Sequence, residues 1–89
     1  MANNTVGQRK METKLPPEIS KKLVSMPEAG MGWQVIRVTT KKEEVFADVV
    51  VIQSELISSV AGKKEIPFDP KDIVSFELTN DRRPKDPYR

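Results

Sequence analysis

The sequence predicts a small, mainly β domain, folded as an antiparallel five-strand barrel or a strongly bent sheet, with one short N-terminal helix and disordered tails. The chain has 89 residues, a length that supports one hydrophobic core and seldom two. Segments rich in β-branched and aromatic residues recur at the spacing of an antiparallel meander, roughly eight to twelve residues. A meander this short has to curl in order to hide its edges.

The chain is expected to fold as a single domain over residues 15 to 79. Residues 1 to 14 are predicted to form a disordered leader, because their apolar positions are isolated and have no period. Residues 80 to 89 contain two prolines and four basic side chains, and we expect a disordered basic tail there.

One helix is predicted at about residues 17 to 25. Leu15, Ile19 and Leu23 repeat every four residues, which is the spacing of one helix face. Proline is well tolerated in the first turn of a helix, and a Pro-Pro pair opens this segment. The Met-Pro pair that begins at Met26 is expected to end it.

Five strands account for the rest of the domain, and we place them at residues 33–40, 45–53, 56–60, 65–68 and 73–79. Ala47 and Asp48 interrupt the apolar run of the second strand, where a bulge would let the strand bend. Pro67 marks the fourth strand as an edge strand, because proline cannot donate to an interior ladder. The predicted core residues are Ile36, Val38, Ile66, Phe68, Val74, Phe76 and Leu78.

The order of a helix, a strongly bent hairpin and a late strand after a tight turn resembles the small barrels of the Sm-like and Src-homology-type classes. The resemblance covers residues 17 to 79 and implies a fold only. The Sm-like class has a glycine in the middle of the second strand and an asparagine in the loop after the third. This sequence has Asp48 and Gly62 there, so no family function is transferred.

Composition argues against several classes of function. The chain has no cysteine and no histidine, which removes disulfides, thiolate metal sites and the usual general base near neutral pH. The close carboxylate pairs, Glu43 with Glu44 and Asp69 with Asp72, lie in predicted turns. The first five residues lack the apolar run expected of a secretory leader, and no apolar stretch of the sequence reaches membrane length. We therefore expect a cytoplasmic protein that is not an enzyme, binds no metal or cofactor and does not enter a membrane.

An interaction surface is predicted from the apolar run at residues 49 to 52. Consecutive strand residues point to opposite faces, so an all-apolar run indicates that both faces are covered. The barrel interior covers one face, and either the helix or a second subunit covers the other. Trp33 either forms an apolar lip beside flexible glycines or caps the core, and we favour the core. The candidate interaction residues are Met31, Trp33, Val50 and Ile52.

The favoured function is an interaction module that binds a protein partner, or itself as a homodimer, through a strand edge and the apolar lip. The alternative is a nucleic-acid-binding accessory protein with a basic C-terminal arm and lysines at the hairpin ends. Residues 32 to 79 hold six basic and eight acidic side chains, which argues against a phosphate-binding barrel face. The candidate phosphate contacts are Lys41, Lys42, Lys63, Lys64, Arg82, Arg83, Lys85 and Arg89.

Overall fold

A computed structural model describes residues 9–10, 13–61, 63, 65–81, 84 and 87 of the chain. It contains seven short strands, one α-helix and one 3-10 turn over Pro70–Asp72. In chain order the elements are β1 Arg9–Lys10, β2 Thr13–Lys14, α1 Pro17–Val24, β3 Trp33–Thr40, β4 Val45–Ile52, β5 Leu56–Val60, β6 Glu65–Ile66 and β7 Ile73–Leu78.

Five of the strands form one antiparallel sheet in the order β2-β5-β4-β3-β7. The sheet curls into a half-barrel, and this confirms the predicted mainly β class. Strands β3, β4 and β5 form the meander, and β7 returns to pair with β3. Strands β2 and β7 are therefore the two edges of the sheet.

Two sequence-based boundaries need correction. Residues 9–10 and 13–14, which were predicted to belong to a disordered leader, pair with β6 and β5 respectively. Main-chain pairing to an existing strand needs no apolar period, so the pattern gave no sign of it. The fourth predicted strand is also shorter than expected: only Glu65–Ile66 pairs, and its partner is β1 and not the five-stranded sheet.

Helix α1 covers the concave face of the sheet. Its buried side chains, Ile19 and Leu23, join Val49 and Val51 in the main core. Burying a leucine side chain completely contributes about 1.5–3 kcal/mol, so these contacts hold the helix in place. The helix begins at Pro17, as the sequence predicted, and ends at Val24, one residue earlier than expected.

The predicted bulge in β4 is confirmed. Ile36 pairs with Val49 while Val38 pairs with Phe46, so β4 has one residue more than β3 over this stretch. Asp48 has a φ of 54°, a left-handed conformation that aspartate adopts more readily than most residues. The bulge bends β4 and brings its main chain towards the end of β5, where Ala61 N–H donates to Asp48 O at 3.0 Å.

A bulge in β7 was not predicted, and it overturns the placement of Val74 in the core. Thr40 pairs with Ile73 and Thr39 pairs with Ser75, so one residue of β7 is unmatched. The unmatched residue is Val74, whose side chain is 62% exposed. Ile73 takes its place against the core, together with the partly buried Phe76 and Leu78.

The convex face of the sheet carries a smaller cluster of Ala29, Trp33, Val35 and Val50, with Ile52 packed against it. Both faces of the run at residues 49 to 52 are covered, as predicted, but the predicted cover was wrong. Val50 is fully buried within the single chain by Trp33 and its neighbours. Neither the helix nor a second subunit is needed to cover Val50, because the turn before β3 folds back over the convex face of the sheet.

A buried glutamine joins the helix to the sheet. Gln34 Nε2 donates to the main-chain oxygens of Leu23, Met26 and Pro27 at 2.9–3.2 Å. Its Oε1 accepts from Ser54 Oγ at 3.0 Å. The last carbonyls of a helix have no partner within the helix. From the concave face of β3, Gln34 bonds one of them, Leu23 O, and two carbonyls of the turn that follows α1.

Candidate functional site

The main concave feature of the described structure is a cleft of about 810 Å³ at the open seam of the half-barrel. One wall contains residues from the two edges of the sheet, and the other contains the first turns of α1. Both sheet edges contribute because the barrel does not close between β2 and β7. Its apolar lining includes Leu15, Pro17, Ile19, Ile73 and Phe76.

The edge strand β7 runs along this cleft with one side open. Thr79 N–H, directly after the strand, donates to Val35 O at 2.9 Å, so its main chain faces β3. Main-chain groups alternate in direction along a strand. The N–H and C=O groups of Phe76 and Leu78 therefore point away from β3. No described residue pairs with that outer side.

Natural sheets usually protect such edges with lysine, proline or a covering loop. The six residues of β7 are Ile-Val-Ser-Phe-Glu-Leu, without lysine or proline. Glu77 is the one charged residue, and it pairs with Arg37 of the neighbouring strand. An exposed valine, Val74, lies at the bulge. The bulge at Val74 interrupts the start of the edge, whereas the following part, which includes the outward groups of Phe76 and Leu78, stays open.

The rim of the cleft is positively charged. Lys22 lies on α1 and Lys71 lies on the 3-10 turn before β7, and both are exposed. Among the described residues neither ammonium group has an ion-pair partner. Lys14 also lines the cleft, but its Nζ is 3.2 Å from the carboxylate of Glu55. Glu18 is the single carboxylate in the lining, so the rim favours negative charge.

The four candidate interaction residues do not form one exposed surface. Trp33 is only 4% exposed and Val50 is fully buried. Ile52 is half-buried against them. Met31 is 91% exposed at the tip of the turn. Trp33 thus belongs to a core cluster, as favoured, although the cluster lies on the convex face of the sheet.

The candidate phosphate contacts are only partly described. Lys41, Lys42 and Lys63 are exposed. Their turns lie at the same end of the sheet, because β5 runs antiparallel to β4 and its last residue, Val60, pairs with Val49 in the middle of β4. Lys41 Nζ is 3.3 Å from Asp72 Oδ1, which offsets its charge. The remaining candidates lie outside the described residues, and they are Lys64, Arg82, Arg83, Lys85 and Arg89.

Other kinds of site find little support in the part of the chain that the structure describes. No group of three or more acidic side chains there is arranged to hold a metal ion. The described helix is too short to cross a membrane.

The cleft residues Lys22 and Lys71 were not singled out from the sequence. The signal was weak, because a lysine on a short helix and another in a turn are usually solvated surface residues.

Comparison with protein-family models, with curated proteins and with solved structures finds no match for this chain.

Proposed function

We propose that this protein is a non-catalytic interaction module that binds an extended segment of a protein partner along the outer edge of β7. The observation that carries this proposal is the open edge of β7 after its bulge, beside the apolar cleft. In β-strand addition, main-chain hydrogen bonds supply affinity and pockets for alternate side chains supply specificity. The edge offers the main-chain hydrogen bonds, and the cleft between α1 and β7 offers the pocket for side chains.

The proposal modifies the surface that the sequence indicated. The turn before β3 offers no exposed apolar pair, because Trp33 is buried while Met31 points outward. The strand edge remains, and its position beside the cleft supports a partner that is extended and not globular. The lack of cysteine in the chain supports a reducing, cytoplasmic location as part of the same proposal.

Pull-down from a lysate, with and without nuclease, tests the proposal with two matched variants. Val74→Lys places a charge on the open edge without entering the core, because Val74 is 62% exposed. Val24→Lys makes the same change at a valine that is 71% exposed on α1 and does not line the cleft. The expected result is a nuclease-resistant protein that the parent and Val24→Lys retain and Val74→Lys loses. Equal retention by all three proteins would refute edge binding.

The alternative function, nucleic-acid binding through the hairpin lysines and the basic C-terminal arm, has less support. The charge of Lys41 is offset by Asp72, and two exposed lysines give a weak field for phosphates. Salt dependence distinguishes the two functions, because phosphate-driven binding falls steeply between low and high salt while an apolar interface barely responds. A captured species that nuclease removes would favour the alternative.

A further inference from the structure

We infer that the segment bound at β7 is acidic: an extended peptide with apolar side chains at alternate positions, flanked by aspartate or glutamate. This inference rests on the proposed function and specifies the chemistry of its partner. Three features of the described structure carry it, namely the direction of the β7 main chain, the apolar floor of the cleft and the charge of its rim.

The main chain of β7 selects an extended partner. The outward groups of Phe76 and Leu78 are spaced two residues apart, which matches the alternation of a paired strand. A peptide of about five or six residues would cover the strand, since a strand of six residues spans roughly 20 Å. Helical or compact ligands satisfy their own main-chain groups and have none to offer to this edge.

The floor of the cleft selects apolar residues at every second position. Side chains of a paired strand alternate between the two faces of the sheet. Those on the concave side would enter the cleft, where Ile19 from the helix faces Ile73 and Phe76 from the edge. The intervening side chains would point to the convex side, where Glu77 and Arg37 already neutralise each other. Alternation of apolar and polar residues is therefore the expected pattern.

The rim selects the sign of the flanking charges. Lys22 and Lys71 lie on elements that flank the apolar floor, and among the described residues they have no carboxylate partner. Glu18 opposes them alone. Acidic side chains beside the apolar positions would complement these lysines, whereas basic ones would be repelled. An exposed ion pair contributes little by itself, so the rim acts mainly on specificity and the apolar floor on affinity.

Two other occupants are disfavoured, one by the charge of the rim and one by the scarcity of aromatic side chains. A second copy pairing β7 with β7 would bring two lysine-rimmed clefts together, and like charges at an interface oppose association. Single-stranded nucleic acid binds through aromatic stacking platforms and clustered cations. Phe76 is the one aromatic residue in the cleft lining, which makes a poor platform for successive bases.

Selection from a displayed library of random eight-residue peptides tests the inference without assuming a ligand. The baits are the parent protein, Val74→Lys, Val24→Lys, the double variant Lys22→Glu with Lys71→Glu, and the control Lys21→Glu. Lys21 is exposed next to Lys22 on α1 but does not line the cleft. We expect the parent, Val24→Lys and Lys21→Glu to select alternating apolar peptides rich in aspartate and glutamate.

The double variant is expected to lose the acidic preference and to bind the parent's peptides roughly tenfold more weakly, because two glutamates in place of the rim lysines would repel the acidic flanks. Peptides that bind at β7 but are not enriched in acidic residues overturn this inference and leave the proposed function standing. Selected peptides that leave the Phe76 and Leu78 amides unprotected from exchange, or no peptides at all, overturn both. A further check uses only the isotopically labelled parent, so it does not depend on the folding of any variant. When the parent is titrated with a selected synthetic peptide, binding at the edge is expected to protect the Phe76 and Leu78 amides from exchange.

Discussion

Gly30 packs its main chain directly against the indole ring of Trp33. A Cβ atom at position 30 would lie 2.7 Å from Cε2 of the indole and closer still to Nε1, a separation that real Cβ atoms do not show. Two main-chain hydrogen bonds fix the turn. Ala29 N–H donates to Trp33 O at 2.9 Å, and Trp33 N–H donates to Gly30 O at 3.2 Å. Glycine is therefore required at position 30 by contact with the ring, and not by an unusual φ.

The first prediction is that Gly30→Ala destabilises the protein by about 1–3 kcal/mol, the usual cost of overpacking. The indole has little room to move, since Trp33 is sandwiched between this turn and Val50. Urea denaturation followed by tryptophan fluorescence measures the change. Met31→Ala is the control, because Met31 is exposed in the same turn. Equal stability of the two variants would show that the turn lifts off the ring at no cost.

The second prediction concerns Gln34, which is 1% exposed. Gln34→Met keeps the length of the side chain but removes the side-chain donor to the carbonyls of Leu23 and Met26 and one of the two side-chain donors to Pro27 O. Unsatisfied buried groups cost about 1–3 kcal/mol, and we expect a loss in that range with faster amide exchange in α1. Ser25→Ala, which removes one exposed bond to Lys22 O, is expected to cost less. A stable Gln34→Met variant with unchanged exchange would contradict this role.

The features that the sequence predicted well have a direct local cause. The bulge at Asp48 was visible because a polar residue and an alanine interrupt an apolar run. The helix was visible because Ile19 and Leu23 repeat at helical spacing and prolines mark its ends. Each of these signals lies within a few residues of the feature it indicates, so no knowledge of the tertiary structure was required.

The features that were missed depend on distant partners. Val74 looks like a core residue in an alternating strand, and only its pairing with β3 shows the bulge that turns it outward. Gln34 looks like a solvent-facing residue, yet carbonyls at the end of a helix eleven residues earlier bind it. The cleft combines residues from the two ends of the domain, and no local pattern brings Lys22 and Lys71 to one rim.

The third prediction tests the bulge in β7. Phe76→Ala is expected to destabilise the protein by about 2–4 kcal/mol, somewhat below the loss for a fully buried phenylalanine, because Phe76 is only partly buried against the core. Val74→Ala is expected to change the stability by no more than about 0.5 kcal/mol, as exposed positions do. Chemical denaturation of both variants gives the comparison. A larger loss for Val74→Ala would mean that β7 pairs in the unbulged register.

The last prediction concerns Val50, at the centre of the convex cluster. Val50→Lys introduces an ammonium group at a fully buried position. Val50 packs in a cluster with Ala29, Trp33, Val35 and Ile52, and its cross-strand partner on β5 is the uncharged Ser59. A buried charge without a partner costs about 3–5 kcal/mol. That cost is comparable to the free energy of unfolding of so small a domain. We therefore expect a strongly lowered melting temperature.

The molecular mass in solution distinguishes burial of Val50 within one chain from burial of Val50 in a dimer interface. Because the single chain already covers Val50, light scattering should give the same mass for the folded parent and for any folded Val50→Lys that remains. Val24→Lys, which places the same charge on the exposed part of α1, should keep the parent's melting temperature within a few degrees. If Val50→Lys were instead a stable monomer derived from a dimeric parent, Val50 would lie between subunits, and the turn over Trp33 would have to open in the assembled protein.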